Sequence, residues 1–265
     1  MPGSDPSHTL GILGFGHFGR ALADLATAAG RPWLAADPAA PVPADHRVPT
    51  GAELAARAGT LVLCVPVPAL EAIVRDLRPR LTPGHLVLDV GSVKAWPAEV
   101  LGRLLGADIP WCATHPLFGP VSLSRGEKPL RVVVCPNGHH PRAADLAAAF
   151  YASLGCEVTR QPADDHDRHM AETHALAFFV AKAMLDIEAG RGSDIITPSF
   201  RAMAQTVDTV RGDAGHLFSL IQLGNPHAAG ARARLLAALH AIDDELRDAV
   251  TRGTDAGVHQ IDPPS

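Results

Sequence analysis

What this chain of 265 residues has little of narrows its function before any motif does. It has no basic run, and 23 Lys and Arg against 28 Asp and Glu leave a formal charge of −5, which argues against a nucleic-acid surface. Its four cysteines, Cys64, Cys112, Cys135 and Cys156, stand singly in or beside apolar runs, without C-x-x-C spacing. Buried thiols in a reducing compartment are therefore expected, rather than disulfides or a zinc site. No uncharged stretch is long enough to span a bilayer, and MPGSDPSHTL lacks a basic segment followed by an apolar one. The expected location is the cytoplasm, with no membrane partner. Lysine is scarce, with only Lys94, Lys128 and Lys182 in a chain that otherwise uses arginine. What remains, at 47% hydrophobic and 19% charged residues, is an ordinary globular composition. It suits one large or two modest domains acting on a small molecule.

The residues that are present organise themselves around LGILGFGHFGR, from Leu10 to Arg20. An apolar run breaks into Gly14, Gly16 and Gly19, with His17 and Phe18 between the last two, and then opens a helix. In a dinucleotide site the first glycine permits a tight turn, the second lets a pyrophosphate approach the backbone, and the third lets helix and strand pack closely. The phosphate then sits on a helix N-terminus, where unpaired N–H groups favour anions.

From Thr9 to Arg160 short β-prone runs alternate with Ala/Leu-rich segments. Strands are expected at Thr9–Leu13, Trp33–Ala36, Thr60–Val65, Leu86–Val90, Trp111–Thr114, Leu130–Cys135 and Cys156–Thr159. Helices are expected at Phe18–Ala29, Pro68–Leu77 and Pro141–Leu154. That alternation predicts an α/β fold with a doubly wound, mostly parallel sheet whose apolar runs are covered on both faces. After Gln161 no strand-like run appears. One long helix over Ala163–Ala189 is expected, then helices over Pro198–Val210, Gly215–Leu223 and Pro226–Arg252, with GVHQIDPPS fraying at the end. The predicted division is a dinucleotide-binding domain over 1–163 and a helical substrate and dimerisation domain over 164–265.

Asp37 closes the second expected strand, 23 positions after Gly14, close to the spacing of about 20 at which a carboxylate meets the ribose 2′-OH of NAD. A 2′-phosphate would be repelled there, and PAAPVPA offers no cation to receive one, so the expected cofactor is NAD. LVLCVPVP ends a strand at Val65 and Pro66, whose backbone should lie near the crevice where such sheets hold ligands.

Two further strand ends carry polar residues: LVLDVGSVK and WCATHPLFGP. His115, at a strand end and just before a turn, is the candidate general base, since imidazole titrates near neutrality without large tuning. Ser92 can hydrogen-bond that imidazole or a substrate hydroxyl, and it can equally cap the next helix. Gly91 permits close backbone approach.

GILGFGHFGRAL, DVGSVK, THPLFGP, HDRHMAETHALAFF and TPSFRAM with LFSLIQLGNP together make the chain resemble the prephenate and arogenate dehydrogenase family, in order from Gly11 to Pro226. The resemblance implies a Rossmann-type domain joined to an all-helical domain that forms an intertwined homodimer. It also implies NAD(P)-dependent oxidative decarboxylation of a cyclohexadienol, with His115 as base and Ser92 as its hydrogen-bonding partner. Two substrate-side positions depart from the family. Phe178 stands where many members carry a histidine, and Thr209 where many carry an arginine for a substrate carboxylate. Because a dianion in a closed site needs cationic or donor partners, His174, Arg201 and Arg211 are the candidate replacements. Metal binding by the histidines is not expected. No module for tyrosine feedback is expected after the helical region, and with the two altered positions this leaves room for a 4-amino-4-deoxyprephenate dehydrogenase. A reductase of the β-hydroxyacid or pyrroline-carboxylate type, using Lys182, and a non-catalytic NAD-binding protein are the other readings.

Overall fold

The computed structural model describes residues 8–212 and 216–252. Gly215 and the tail GVHQIDPPS lie outside the described residues. Seven strands form one sheet: β1 Leu10–Leu13, β2 Trp33–Ala36, β3 Thr60–Leu63, β4 Leu86–Asp89, β5 Trp111–Pro116, β6 Arg131–Cys135 and β7 Glu157–Arg160. Their order is β2-β1-β3-β4-β5-β6-β7. The pairs from β2 through β5 are parallel, β6 runs antiparallel to β5, and β7 is parallel to β6.

Alternate strand residues feed opposite faces, so each apolar run serves two cores. Leu10, Ile12, Val62 and Leu88 join one cluster, under the helices α1 (His17–Ala28) and α6 (Ala143–Ser153). Leu61, Leu63 and Val87 join the other, under α2 (Gly51–Arg57), α3 (Leu70–Leu77) and α4 (Ala95–Leu105). A short α5 spans Pro120–Ser124. The chain steps outward from β1 to β2, then returns to place β3 on the other side of β1. This reversal opens a crevice beyond the carboxyl ends of β1 and β3.

The remaining helices are α7 (Ala163–Met170), α8 (Leu176–Asp186), α9 (Pro198–Gly212), α10 (His216–Gly224) and α11 (Ala228–Arg252). Helices α8 to α11 gather around Phe178, Ala181, Val207, Val210 and Ile221, while α7 packs on α4 and β6. The single helix expected over 163–189 is interrupted. Ala171–Ala175 form a π-helical turn, which inserts an extra residue and changes the helical phase between α7 and α8. The Gln222 side chain donates to the Ala175 carbonyl at 2.7 Å, supporting the turn from α10. Helix α8 then stops at Asp186, where Glu188 at φ 52° and Gly190 at φ 74° turn the chain out of helical geometry. Among the described residues no helix is long and apolar enough to cross a membrane.

Candidate active site

The glycine loop after β1 is demanded partly by the fold and partly by what approaches it. Gly14 has φ +95°, and a Cβ there would stand 2.3 Å from the Cys64 carbonyl oxygen; one on Gly19 would stand 2.2 Å from the Gly14 oxygen. Both glycines are therefore required by packing. A Cβ on Gly16 would meet nothing within 4 Å. That glycine opens onto a cavity of about 590 Å³, lined in part by Gly14, Gly16, Asp37, Val65, Pro66 and Ile73. Gly16 also caps α1 without a side-chain hydrogen bond, so the opening N–H groups of that helix suit a phosphate. His17 is exposed and Phe18 lies against Phe118 with ring centroids 6.0 Å apart; neither lines the cavity.

Asp37 closes the other side. One carboxylate oxygen accepts the Phe15 N–H at 2.6 Å, and the other accepts those of Ala39 and Ala40 at 2.8 and 2.7 Å. Burial pulls its carboxyl upward, but the backbone N–H groups of Ala40, Phe15 and Ala39, with the charge of Arg20, outweigh that and hold it below the usual carboxylate range. It is thus an oriented anion at the end of β2, and the cavity fits a dinucleotide whose ribose carries free hydroxyls.

Along the same sheet edge, β4 ends in Asp89 and β5 in His115-Pro116. Two strand spacings separate β3 from β5, roughly 10 Å, a distance a dinucleotide extending from the cavity can cross. Asp89 accepts the Gly91 N–H at 2.9 Å and the Lys94 ammonium at 2.5 Å. Its other oxygen takes the Thr114 N–H at 3.1 Å. Lys94 also donates to the Thr114 carbonyl at 2.6 Å, and the Thr114 hydroxyl contacts the Tyr151 hydroxyl at 2.7 Å. Lys94, Asp89 and Thr114 are buried, so this network ties the loop bearing Ser92 to the strand bearing His115.

His115 is buried, and its Nδ1 lies 2.8 Å from His166 Nε2. His166 Nδ1 in turn meets Asp167 Oδ1 at 2.8 Å. Asp167 also accepts the N–H groups of Lys94 and Ala95, each at 2.8 Å, so a carboxylate from α7 caps α4. The π turn brings His174 over His115, with near-parallel rings 6.3 Å apart, and Phe178 meets His174 edge-on at 4.6 Å. Burial, then the neighbouring His166, Lys94 and His174, hold His115 well below the ordinary histidine value. Burial and His166 bring His174 down to about 4. His115 is therefore a neutral imidazole at neutral pH, and its Nε2 meets no hydrogen-bond partner among the described residues.

The remaining expected site residues are dispersed. Ser92 is partly buried beside Gly91, and the Nδ1 bond of His115 goes to His166 instead of to Ser92. Arg201 is exposed on α9. Arg211 is exposed, pairs with Asp208 at 3.1 Å, and lines a separate cavity of about 510 Å³ with Arg191 and Phe200. Thr209 donates to the Gln205 carbonyl at 3.0 Å, and Lys182 is exposed and paired with Asp186. Asp89 and Asp167 were not among the expected site residues. The adjacent His-Asp pair was visible in the sequence, but its partners lie 51 to 73 residues away.

Residues 38–159 match the family model for the prephenate dehydrogenase nucleotide-binding domain. Over 249 residues the chain is 26% identical to arogenate dehydrogenase 1, chloroplastic, of Arabidopsis thaliana, covering 89% of this chain and 39% of that protein. The chain thus spans about two-fifths of that relative's length. The fold resembles prephenate dehydrogenase of A. aeolicus, solved with hydroxyphenyl propionate and NAD+, at TM-score 0.73 and 18% identity over 93% of this chain and 91% of that one. Synechocystis arogenate dehydrogenase is similar at TM-score 0.66 and 18% identity, covering 92% of each chain.

Proposed function

We propose that this chain, whose residues 38–159 match the prephenate dehydrogenase nucleotide-binding domain, is an NAD-dependent enzyme that oxidatively decarboxylates a prephenate-type cyclohexadienol. The observation that carries this reading is a neutral His115 with Nε2 unengaged, on the sheet edge that also bears the Gly16 opening and Asp37.

Gly16 and the first N–H groups of α1 would hold the pyrophosphate, Asp37 the ribose hydroxyls, and the Val65-Pro66 backbone would flank the dinucleotide as it runs toward β5. When bound, the cofactor supplies the hydride acceptor. His115 Nε2 takes the proton of the substrate's 4-hydroxyl as C4 is oxidised. Ser92, partly buried on the neighbouring loop, would hydrogen-bond the same substrate oxygen. Loss of the ring carboxylate as CO2 leaves its electron pair to aromatise the ring, and the phenol oxygen recovers a proton. His174 and Phe178 form the wall behind the base. Arg201 and Arg211 remain the candidate carboxylate partners, and since Arg211 lies in a separate cavity they would serve only if the assembly brings them to the ring.

A second copy of the chain supplies that assembly in this reading, as a cytoplasmic homodimer. Helix α11 buries only Ala228 and Ala231 among its described residues while Leu236, Leu239, Ile242, Leu246 and Val250 stay exposed along it. Phe178 and Thr209, in place of a histidine and an arginine, favour one second reading, the 4-amino-4-deoxyprephenate substrate, whose N–H proton the same base would accept.

The test is NADH formation, followed by absorbance, with prephenate, arogenate and the amino analogue compared on purified protein. Turnover of one of the three is expected. Tight NAD binding without turnover of any would overturn the enzymatic reading.

A further inference from the structure

The geometry points to Asp167 and His166 as a positioning pair that fixes His115 in the tautomer with hydrogen on Nδ1, leaving Nε2 as the proton acceptor. The inference rests on His115 being the base, and it follows from counting donors. Asp167 accepts the Lys94 N–H on Oδ1 and the Ala95 N–H on Oδ2, so it is held as a carboxylate at the N-terminus of α4. A carboxylate only accepts, so in the 2.8 Å contact with Asp167 the hydrogen belongs to His166 Nδ1. In the form of His166 that carries only this hydrogen, the lone pair is on Nε2 and faces the His115 ring. The hydrogen in the 2.8 Å contact between the rings must therefore come from His115 Nδ1. The free Nε2 of His115 carries the lone pair that a base requires.

The same chain of bonds acts during the reaction. As Nε2 takes a proton, the new imidazolium keeps its Nδ1–H on His166, whose far side faces the Asp167 carboxylate. Both backing side chains are fully buried, which keeps their hydrogen bonds out of competition with water. The other titratable groups facing His115 are Lys94, already engaged by Asp89, and His174 on the π turn. Neither is hydrogen-bonded to its ring. If His166 instead carried both protons, His115 Nδ1 would have to accept, its hydrogen would move to Nε2, and no lone pair would face a substrate. The pair therefore selects one of two otherwise similar tautomers.

The test uses the full-length protein in two arms. Nitrogen-15 spectra of the imidazoles should show His115 protonated on Nδ1 and bare on Nε2 near neutral pH; hydrogen on Nε2 would overturn the proposal, whether or not any substrate turns over. In the kinetic arm, His166→Leu should lower kcat about 10²-fold while leaving KM for NAD and the ring substrate within about threefold. His166→Gln, whose amide oxygen can accept from Nδ1, should recover at least about tenfold of that loss. A folded His166→Leu variant with wild-type kcat would also overturn it. Wild-type protein that is inert toward all three candidates but shows the expected tautomer would refute the proposed activity and leave the positioning intact.

Discussion

Lys94 and Asp89 meet at 2.5 Å with the lysine side chain fully buried and the aspartate nearly so. The ammonium spends its other visible hydrogen bond on the Thr114 carbonyl, one residue before His115. Lys94 is thus an anchor between two strand ends, which explains a lysine in a chain that otherwise prefers arginine: a compact ammonium fits a site closed on all sides.

Removing that anchor should damage folding before it damages chemistry. Lys94→Met leaves the Asp89 carboxylate buried beside Thr114 without its cation, at a cost of about 3–5 kcal/mol. Urea unfolding should show that loss, and a variant within about 1 kcal/mol of wild type would mean the pair is dispensable.

The glycines should separate by role. Gly14→Ala places a Cβ against the Cys64 carbonyl at φ +95° and should destabilise the protein by about 1–3 kcal/mol or more. Gly16→Ala meets nothing in the protein, so thermal stability should hold while NAD affinity, measured by calorimetry, falls about tenfold or more. Equal NAD affinity in Gly16→Ala would remove that backbone from the cofactor site.

His115→Asn should reduce kcat by about 10²- to 10⁴-fold with NAD affinity nearly unchanged, since the side chain lies three strand spacings from the Gly16 opening after β1. A mild effect in steady-state kinetics would take His115 out of the base role.

The histidine cluster sets a direction for pH. Because burial holds His115 below its ordinary 6.5, the acid limb of kcat/KM should fall below that value. Stability should follow the same sign. Between about 6.5 and about 4 the unfolded chain binds a proton at residue 174 that the native chain does not, so unfolding free energy declines as pH falls through that window. Denaturant titrations across it should give a shallower decline for His174→Leu than for wild type.

Charge placed on the exposed stripe of α11 should weaken the proposed homodimer. Leu239→Glu with Ile242→Glu is expected to raise the dimer Kd at least about tenfold, as read by light scattering over a concentration series. Wild-type protein that is monomeric at micromolar concentration would rule out the interface.

The sheet was legible because buried parallel strands are written as apolar runs: LVLCV and RVVVC could be placed within a residue or two. The start of α4 was not. Its N-cap position is Lys94, which makes no side-chain cap, and the capping carboxylate comes from Asp167, 73 positions later. Local capping chemistry cannot announce a cap supplied by tertiary contact. The candidate base, His115, was readable as a polar residue ending a strand, whereas its partner was not, because a His-Asp pair on a polar helix looks like solvated surface until α7 is laid on α4. The break in the helix after Met170 was equally hidden, since AETHA has no proline or glycine to mark it.

That five-residue turn works as a phase shifter between the two halves of the chain. Each residue added to or removed from a helix rotates everything beyond it by about 100°. Upstream, His166 and Asp167 must face the sheet; downstream, Phe178 and Ala181 must face the helical core. Straightening these five residues into ordinary α geometry without removing one would rotate one of those two faces away from its target by about 100°. The π geometry of this segment is therefore as constrained as the identity of any side chain in it.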